Sequence, residues 1–250
     1  MKIKQILVFF AVIFGVAAIG YIVLQTKRNS FVYPDFGVEV PPNYPLLGID
    51  ISHHQGDINF EETAKLNSGR DSIQFVYIKA SEGRNFADDK SEQNALGCAE
   101  NNLKYGFYHF FHGSLSAQQQ ALFFCEQIKS HPFDLIPVID VEISGGLQPL
   151  VLVDSVLVFM DKVEEILEVR PMIYTYISFY ADYFEQSKAS NELFWLAAYN
   201  QKNPYMQKEN VLIWQFTEKA TVDGIASKVD LNVAKRTFYN KVVIQRFNSD

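Results

Sequence analysis

The sequence predicts an α/β fold, a closed barrel in which strands alternate with helices, and three observations carry that expectation. Eight short apolar runs recur between residues 46 and 234, each strand-sized and bounded by turn residues. Helical patterns sit between the early runs, and strands alternating with helices call for a parallel sheet. Eight parallel strands are enough to close a sheet on itself. The connections after Tyr176 shorten and lose helical period, so the later strands are expected to lack full helices.

Residues 1–5 are expected to form a short cytoplasmic N-terminus. The run "ILVFFAVIFGVAAIGYIVL", Ile6–Leu24, carries no charge and is flanked by Lys2 and Lys4 on one side and Lys27 and Arg28 on the other. It matches the length a helix needs to span the ~30 Å hydrocarbon core and exceeds the ~7–15 residue apolar region of a cleaved signal peptide. An uncleaved transmembrane signal-anchor is expected, with Val16-Ala17-Ala18 as the alternative cleavage site. Basic residues on both sides decide orientation only weakly. In either case the rest of the chain is expected outside the cytoplasm, in the periplasm, at the cell surface or secreted. Residues 25–45 hold Pro34, Pro41, Pro42 and Pro45 and read as a stiff tether.

The domain is expected over 46–234. Its strand-like runs are "LLGIDIS", "QFVYIKA", "YGFYHFF", "IPVIDVE", "PMIYTY", "LFWLAAY", "VLIWQF" and "KVDLNV". The first helix candidate, "NFEETAKLNSG", ends at a glycine C-cap, Gly69. "DDKSEQNALGCAENN" follows, then "SAQQQALFFCEQIKS" behind an N-capping Ser116, and the longest, "LVDSVLVFMDKVEEILE". Residues 235–250 are a C-terminal extension without an expected role.

Composition narrows the function. The chain of 250 residues is 48% apolar, enough for a sizeable core, and its net charge of -7 argues against a nucleic-acid partner. Aromatics at 14% suit either a core or a sugar-binding cleft. Cys98 and Cys125 form no CxxC arrangement. They read either as two buried thiols acting as small hydrophobes or, in an oxidising compartment, as a disulfide.

The chemistry gathers on carboxylates. Asp140 and Glu142 lie two residues apart in an apolar strand, so both point to one face. No basic residue of that run neutralises them. Asp50 ends the first run and Asp230 lies in the last, and barrel closure makes those two strands neighbours. Four carboxyls are therefore expected at one mouth, where crowding and partial burial raise their pKa values. A glycosidase uses that effect to keep one carboxyl protonated and its partner ionised. Taken singly, Asp50 or Asp230 would read as a cap or turn former.

Rival chemistries lack their patterns. No EF-hand spacing is present for calcium, no HExxH for zinc and no GxSxG for a serine nucleophile. His53 and His54 are adjacent and expected to diverge, and His109 reads as packed and hydrogen-bonded.

"GIDISHHQGDINF", "FVYIKASEG", "YGFYHFF", "PVIDVE", "PMIYTY", "FWLAAYN" and "IWQFTEKATVDGIASKVDLN" occur in order from about Leu47 to Ala234. Together they resemble the glycoside hydrolase family 25 lysozymes. The resemblance implies a modified TIM-type barrel, five β/α units followed by three strands with little helix. It also implies cleavage of the β-1,4 bond between N-acetylmuramic acid and N-acetylglucosamine in peptidoglycan, with net retention.

Carried over by motif, the acidic residues are Asp50, Asp140, Glu142 and Asp230, with Glu142 as general acid. Asp140 is either the nucleophile or the group that orients the substrate's 2-acetamido arm. Tyr108, Tyr174, Trp195, Tyr199 and Trp214 fall in the family-like motifs and are candidates for sugar contact, since a pyranose face packs on an aromatic ring. Lys79 and Glu82 in "IKASEG" shape the mouth by a salt bridge or touch substrate. No metal or other cofactor is expected. The expected partners are peptidoglycan glycan strands and, through the N-terminal helix, a membrane, with the chain acting as a monomer. A non-catalytic glycan-binding protein on the same scaffold is the alternative. A chitinase-like hydrolase would need a longer Asp-x-x-Asp-x-Asp-x-Glu run, which is absent.

Overall fold

The computed structural model describes residues 36–65, 72–199 and 202–244, and the backbone of 31–33. The expected signal-anchor at Ile6–Leu24 and the Gly69 cap lie outside the described residues. Among the described residues, no helix is long and apolar enough to cross a membrane.

A short antiparallel pair, β1 (Phe31–Tyr33) and β2 (Val38–Val40), precedes the barrel. These residues fall in the segment read as a tether, yet Phe36 and Val40 are buried in the core and the Phe36 carbonyl accepts from the Thr221 amide at 2.9 Å. This part of the segment therefore belongs to the domain.

The barrel strands are β3 (Leu46–Ile51), β4 (Ile73–Glu82), β6 (Lys104–Phe110), β7 (Val138–Asp140), β8 (Met172–Tyr176), β9 (Phe194–Ala197), β10 (Val211–Ala220) and β11 (Val229–Ala234). A two-residue strand, β5 (Phe86–Ala87), folds back on the end of β4. Neighbours run in the order β3-β11-β10-β9-β8-β7-β6-β4, and a β3–β4 pairing closes the ring. All neighbouring pairs are parallel except the two made by β11, which is antiparallel to both β10 and β3.

Five strands are followed by helices: α1 (Phe60–Lys65), α2 (Ser91–Glu100), α3 (Ala117–Ile128), α4 (Pro149–Leu167) and the short α5 (Ile177–Phe179) with its helical extension to Phe184. The last three strands have little helix, as expected. Helix α3 is capped by Ser116, whose side chain accepts from the Gln119 amide at 3.4 Å. Helix α4 starts with proline in its first turn and buries Leu152, Val156, Phe159 and Val163 against the sheet, the three-to-four spacing of one helix face. Cys98 and Cys125 are both free and buried, so the small-hydrophobe reading holds and the disulfide does not.

The barrel interior is filled mainly with aromatic rings. The Trp195 ring lies 5.1 Å from Tyr77 and 4.8 Å from Tyr174, while Phe75 lies 4.7 Å from Phe238. Phe238 belongs to α6 (Phe238–Val242), inside the stretch read as an extension without a role. Here α6 plugs the end of the barrel opposite the strand C-termini, packing Phe238 and Val242 among Leu46, Leu135 and Met172.

Two interior glycines make room for these rings. A Cβ on Gly48 would lie 2.2 Å from the Phe75 ring, and one on Gly106 would lie 2.9 Å from Tyr77. Gly48→Ala is therefore expected to overpack the interior and cost about 1–3 kcal/mol. Denaturant unfolding checks this, and an unchanged midpoint would contradict the packing described.

Candidate active site

The strand C-termini open into a cleft lined by Asp50, Asp140, Glu142 and Asp230, with tyrosines and Trp195 around them. Each acid arrives by a separate element. Asp50 stands near the end of β3 and pairs in register with Asp230 on β11. Asp230 is the second residue of its strand. It reaches the mouth because β11 runs antiparallel, so its beginning lies beside its neighbours' ends. Asp140 ends β7, in register with Phe110 and Tyr174. The expected strand "IPVIDVE" stops here, so Glu142 sits in the following loop, which turns at Gly145 and Gly146 with φ of 61° and 82°.

Two amides hold Asp50. Asn232 and Gln215 both donate to Asp50 Oδ2, at 2.7 and 2.9 Å. Each amide is itself oriented from behind. Trp195 Nε1 donates to Asn232 Oδ1 at 2.9 Å, and the Tyr174 and Tyr199 hydroxyls donate to Gln215 Oε1. An amide whose oxygen is occupied can only turn its NH2 toward the carboxylate.

Asp140 is in the opposite condition. It is buried, and its Oδ1 has no hydrogen-bond partner. Oδ1 of Asp140 is thus a strong acceptor that the protein's own side chains leave open at the cleft.

The four carboxyls titrate as a crowd. Burial lifts Asp140 well above the ordinary carboxylate range, and repulsion from Glu142 and Asp50 adds to it. Burial also raises Glu142, against hydrogen bonds from Tyr174 and Tyr176 that favour its anion. The single Tyr174 hydroxyl proton can serve either Gln215 or Glu142 at one time. Asp50 is raised by burial, with Asn232, Gln215 and Asp230 pulling it back. Asp230 is pushed up to about 9 by burial, by the charge of Asp50 and by their shared hydrogen bond. The hydrogen bond they share raises Asp230 and lowers Asp50, so Asp230 holds the shared proton more tightly than Asp50 does.

The structure brings Tyr108, Tyr174, Trp195 and Tyr199 to the cleft, but not Trp214. Trp214 faces the outer side of the barrel, where its Nε1 donates to the Ala198 carbonyl at 3.0 Å and its ring meets Tyr44 edge-on. Trp195 lies 2% exposed, a floor beneath the acids and not an open stacking face.

The Lys79–Glu82 pair forms a salt bridge at 2.7 Å, joined by His112 at 2.9 Å, and neither member lines the cleft. His109 is buried, bonded to Ser81 at 2.8 Å, and burial drops its pKa to about 3. His53 and His54 do not diverge as expected, because they share a helical turn with rings 4.0 Å apart. Among the described residues, His53, Asp88 and Asp89 could offer metal ligands. Asp88, however, is committed to the His53 ring and to the amides of His53 and Lys90, so this group acts as a loop clasp.

Sequence reasoning missed Gln215, Asn232, Tyr176 and the rim carboxylate Glu218. Asn232 carried a usable signal: it follows Asp230 by two residues in an apolar strand, the same spacing as Asp140 and Glu142.

An eight-stranded barrel whose mouth holds paired, crowded carboxyls is the framework of a glycosidase. A model of the glycosyl hydrolases family 25 matches residues 49–225, and the chain belongs to that family. It is 33% identical over 206 residues to the uncharacterized protein YegX of Escherichia coli K12, covering 81% of this chain and 74% of that one. It is 31% identical over 188 residues to an autolytic lysozyme of Clostridium acetobutylicum, covering 75% of this chain and 55% of that one. The fold is similar to a family 25 glycosyl hydrolase from Bacillus anthracis, with a TM-score of 0.69 at 24% identity over 79% of this chain and 93% of that one.

The raised pKa of Asp230 links stability to pH. Its folded-state pKa exceeds the ordinary 3.8, so its contribution is present in full below about 4 and is lost as pH rises through about 9. Asp230→Asn keeps a donor for Asp50 and removes the ionisation. It is expected to raise the melting temperature by a few degrees at pH 8, about 1 kcal/mol corresponding to ~2–4 °C in a chain of this size. The gain should vanish near pH 4. Equal effects at both pH values in thermal scans would contradict the assignment.

Proposed function

We propose that the chain is a retaining N-acetylmuramidase that cleaves the β-1,4 bond between N-acetylmuramic acid and N-acetylglucosamine in peptidoglycan. The observation that carries this reading is the contrast between two carboxyls on one short segment: Asp140, buried with an orphan oxygen, and Glu142, half-buried and held by tyrosines. The autolytic lysozyme among its relatives supports the substrate class.

Glu142 is the general acid. Its raised pKa keeps a proton available to the glycosidic oxygen as the C1–O bond breaks. Asp140 orients the substrate. An acetamido N–H supplies the donor that Oδ1 lacks, and it turns the acetamido oxygen toward C1. That oxygen closes on C1 as the leaving group departs, giving a cyclic cationic intermediate whose charge favours the Asp140 anion. Glu142, now a carboxylate, takes a proton from the water that opens the ring at C1. Two displacements at one carbon give retention. Asp50 and Asp230, with their amide clasp, hold Asp140 and the sugar hydroxyls in place.

The apolar run Ile6–Leu24 would tether this domain to the outer face of a membrane, or direct its export if the run is cleaved.

The soluble domain from Phe36 onward is expected to release muropeptides with reducing muramic acid ends from purified peptidoglycan, read by mass spectrometry. Reducing glucosamine ends would mean that the other bond is cut. Glu142→Gln should lower turnover by about 10²–10⁴-fold without lowering the melting temperature. Turnover at the parent rate would remove Glu142 from its role, whereas glycan binding without release by the parent protein would leave the non-catalytic alternative standing.

A further inference from the structure

The catalytic cleft carries charge of one sign only. Five carboxyls line it, and no lysine, arginine or histidine stands among its lining residues. Asp50, Asp140, Glu142 and Asp230 already have roles there, whereas Glu218 has none. We propose that Glu218 receives a sugar ammonium, so that the cleft favours glycan strands whose glucosamine has lost its N-acetyl group. The inference rests on the muramidase reading and adds which form of the strand the cleft selects.

Position is the first argument. Glu218 lies near the end of β10 and is exposed at the rim of the cleft. Among the described residues it makes no hydrogen bond or ion pair, so its carboxylate holds no part of the fold in place. Nearby cations do not answer it. Lys219 does not line the cleft, Lys228 turns its Nζ to Thr221 Oγ1 at 2.7 Å, and Lys79 is paired with Glu82. β10 stands three strands from β7 in the ring, which sets Glu218 across the mouth from Asp140 and Glu142. A strand whose N-acetylmuramic acid is held by Asp140 therefore presents the adjoining sugar to Glu218. In an alternating strand that sugar is glucosamine.

Chemistry is the second. The cleft offers acceptors and lacks donors: Asp140 is buried within it, and its Oδ1 has no partner in the protein. An acetamido group brings a single N–H, whereas an ammonium brings three and a positive charge. A metal ion is the rival cation. Among the described residues, no three cleft carboxyls bring oxygens within 4.8 Å of one another, so they do not form a metal cage.

The field of the cleft is the third. Charges of one sign between low-dielectric walls focus their field on an incoming counter-charge. Val138, Tyr174 and Trp195 supply such walls, all three buried. The charge of Glu218 reaches into the cleft, where it adds to the upward push on Asp230. A neutral acetamido group on the glucosamine leaves that charge unanswered, and an anionic group is repelled.

The test is titration calorimetry on the Glu142→Gln protein at about pH 6, where an amino sugar is an ammonium. Two peptide-free tetrasaccharides are compared, N-acetylmuramic acid alternating with N-acetylglucosamine or with glucosamine, their lactyl carboxyls capped as amides. The glucosamine strand is expected to bind about fivefold more tightly at low salt, the upper range of an exposed ion pair. The advantage should fade at about 1 M salt, where screening acts within ~3 Å. Adding Glu218→Gln should bring the ratio to about one. Adding Glu126→Gln, which removes the same charge from the exposed side of α3, should leave it at about fivefold. Equal binding of the two strands overturns the proposal, as does an advantage that survives Glu218→Gln. An advantage seen only when a stem peptide supplies the amine overturns it too. Digestion of acetylated peptidoglycan by the unsubstituted protein reports separately on the enzyme: cleavage alongside equal binding removes the ammonium site and leaves the muramidase.

Discussion

The reversal of one strand sets the chemistry of the mouth. β11 runs against both of its neighbours and pairs Asp230 with Asp50 across the closing seam. In a fully parallel barrel, the beginning of the last strand would lie at the far end, with its acid away from the site. Register matters as much as direction. A slip of one residue would turn Val229 or Leu231 into the mouth and send Asp230 and Asn232 outward. Asp50 would then lose the Asn232 bond and its proton-sharing partner together.

That seam creates an electrostatic load which the surrounding structure offsets only in part. Two amides, themselves oriented by Trp195, Tyr174 and Tyr199, stabilise charge on Asp50. Asp140 receives no comparable help on Oδ1. Unsatisfied buried polar atoms cost stability, and sites that bind and react are where folds carry such costs. The aromatic filling beneath the acids and the α6 plug below it supply the rigid floor on which they stand. Phe75 and Phe238 join that plug to the interior, so α6 is part of the scaffold.

The strands were legible because each is an apolar run closed by turn residues, and the late thinning of helices was legible from lost periodicity. The four acids were legible because charge within an apolar strand needs a reason. Trp214 was not, and the cause is physical. Barrel strands are buried on both faces, so "VLIWQF" shows no polar alternation to say which side is inward. The one polar residue, Gln215, marked the inner face and placed Trp214 outside. The end of β7 at Asp140 was equally hidden, since Val141 continues the apolar run and only the downstream glycines turn the chain. Packing of Phe36, Val40 and Phe238 depended on contacts far away in sequence, which local composition does not reveal.

Barrel closure crowds these carboxyls so closely that they share protons. A ¹³C NMR titration of the aspartate and glutamate carboxyls tests it directly, with Asp230→Asn to assign the signal. One carboxyl is expected to keep its proton past neutrality and titrate near about 9, a signal absent from the variant. A spectrum in which every carboxyl titrates near the ordinary value of about 4 would contradict it.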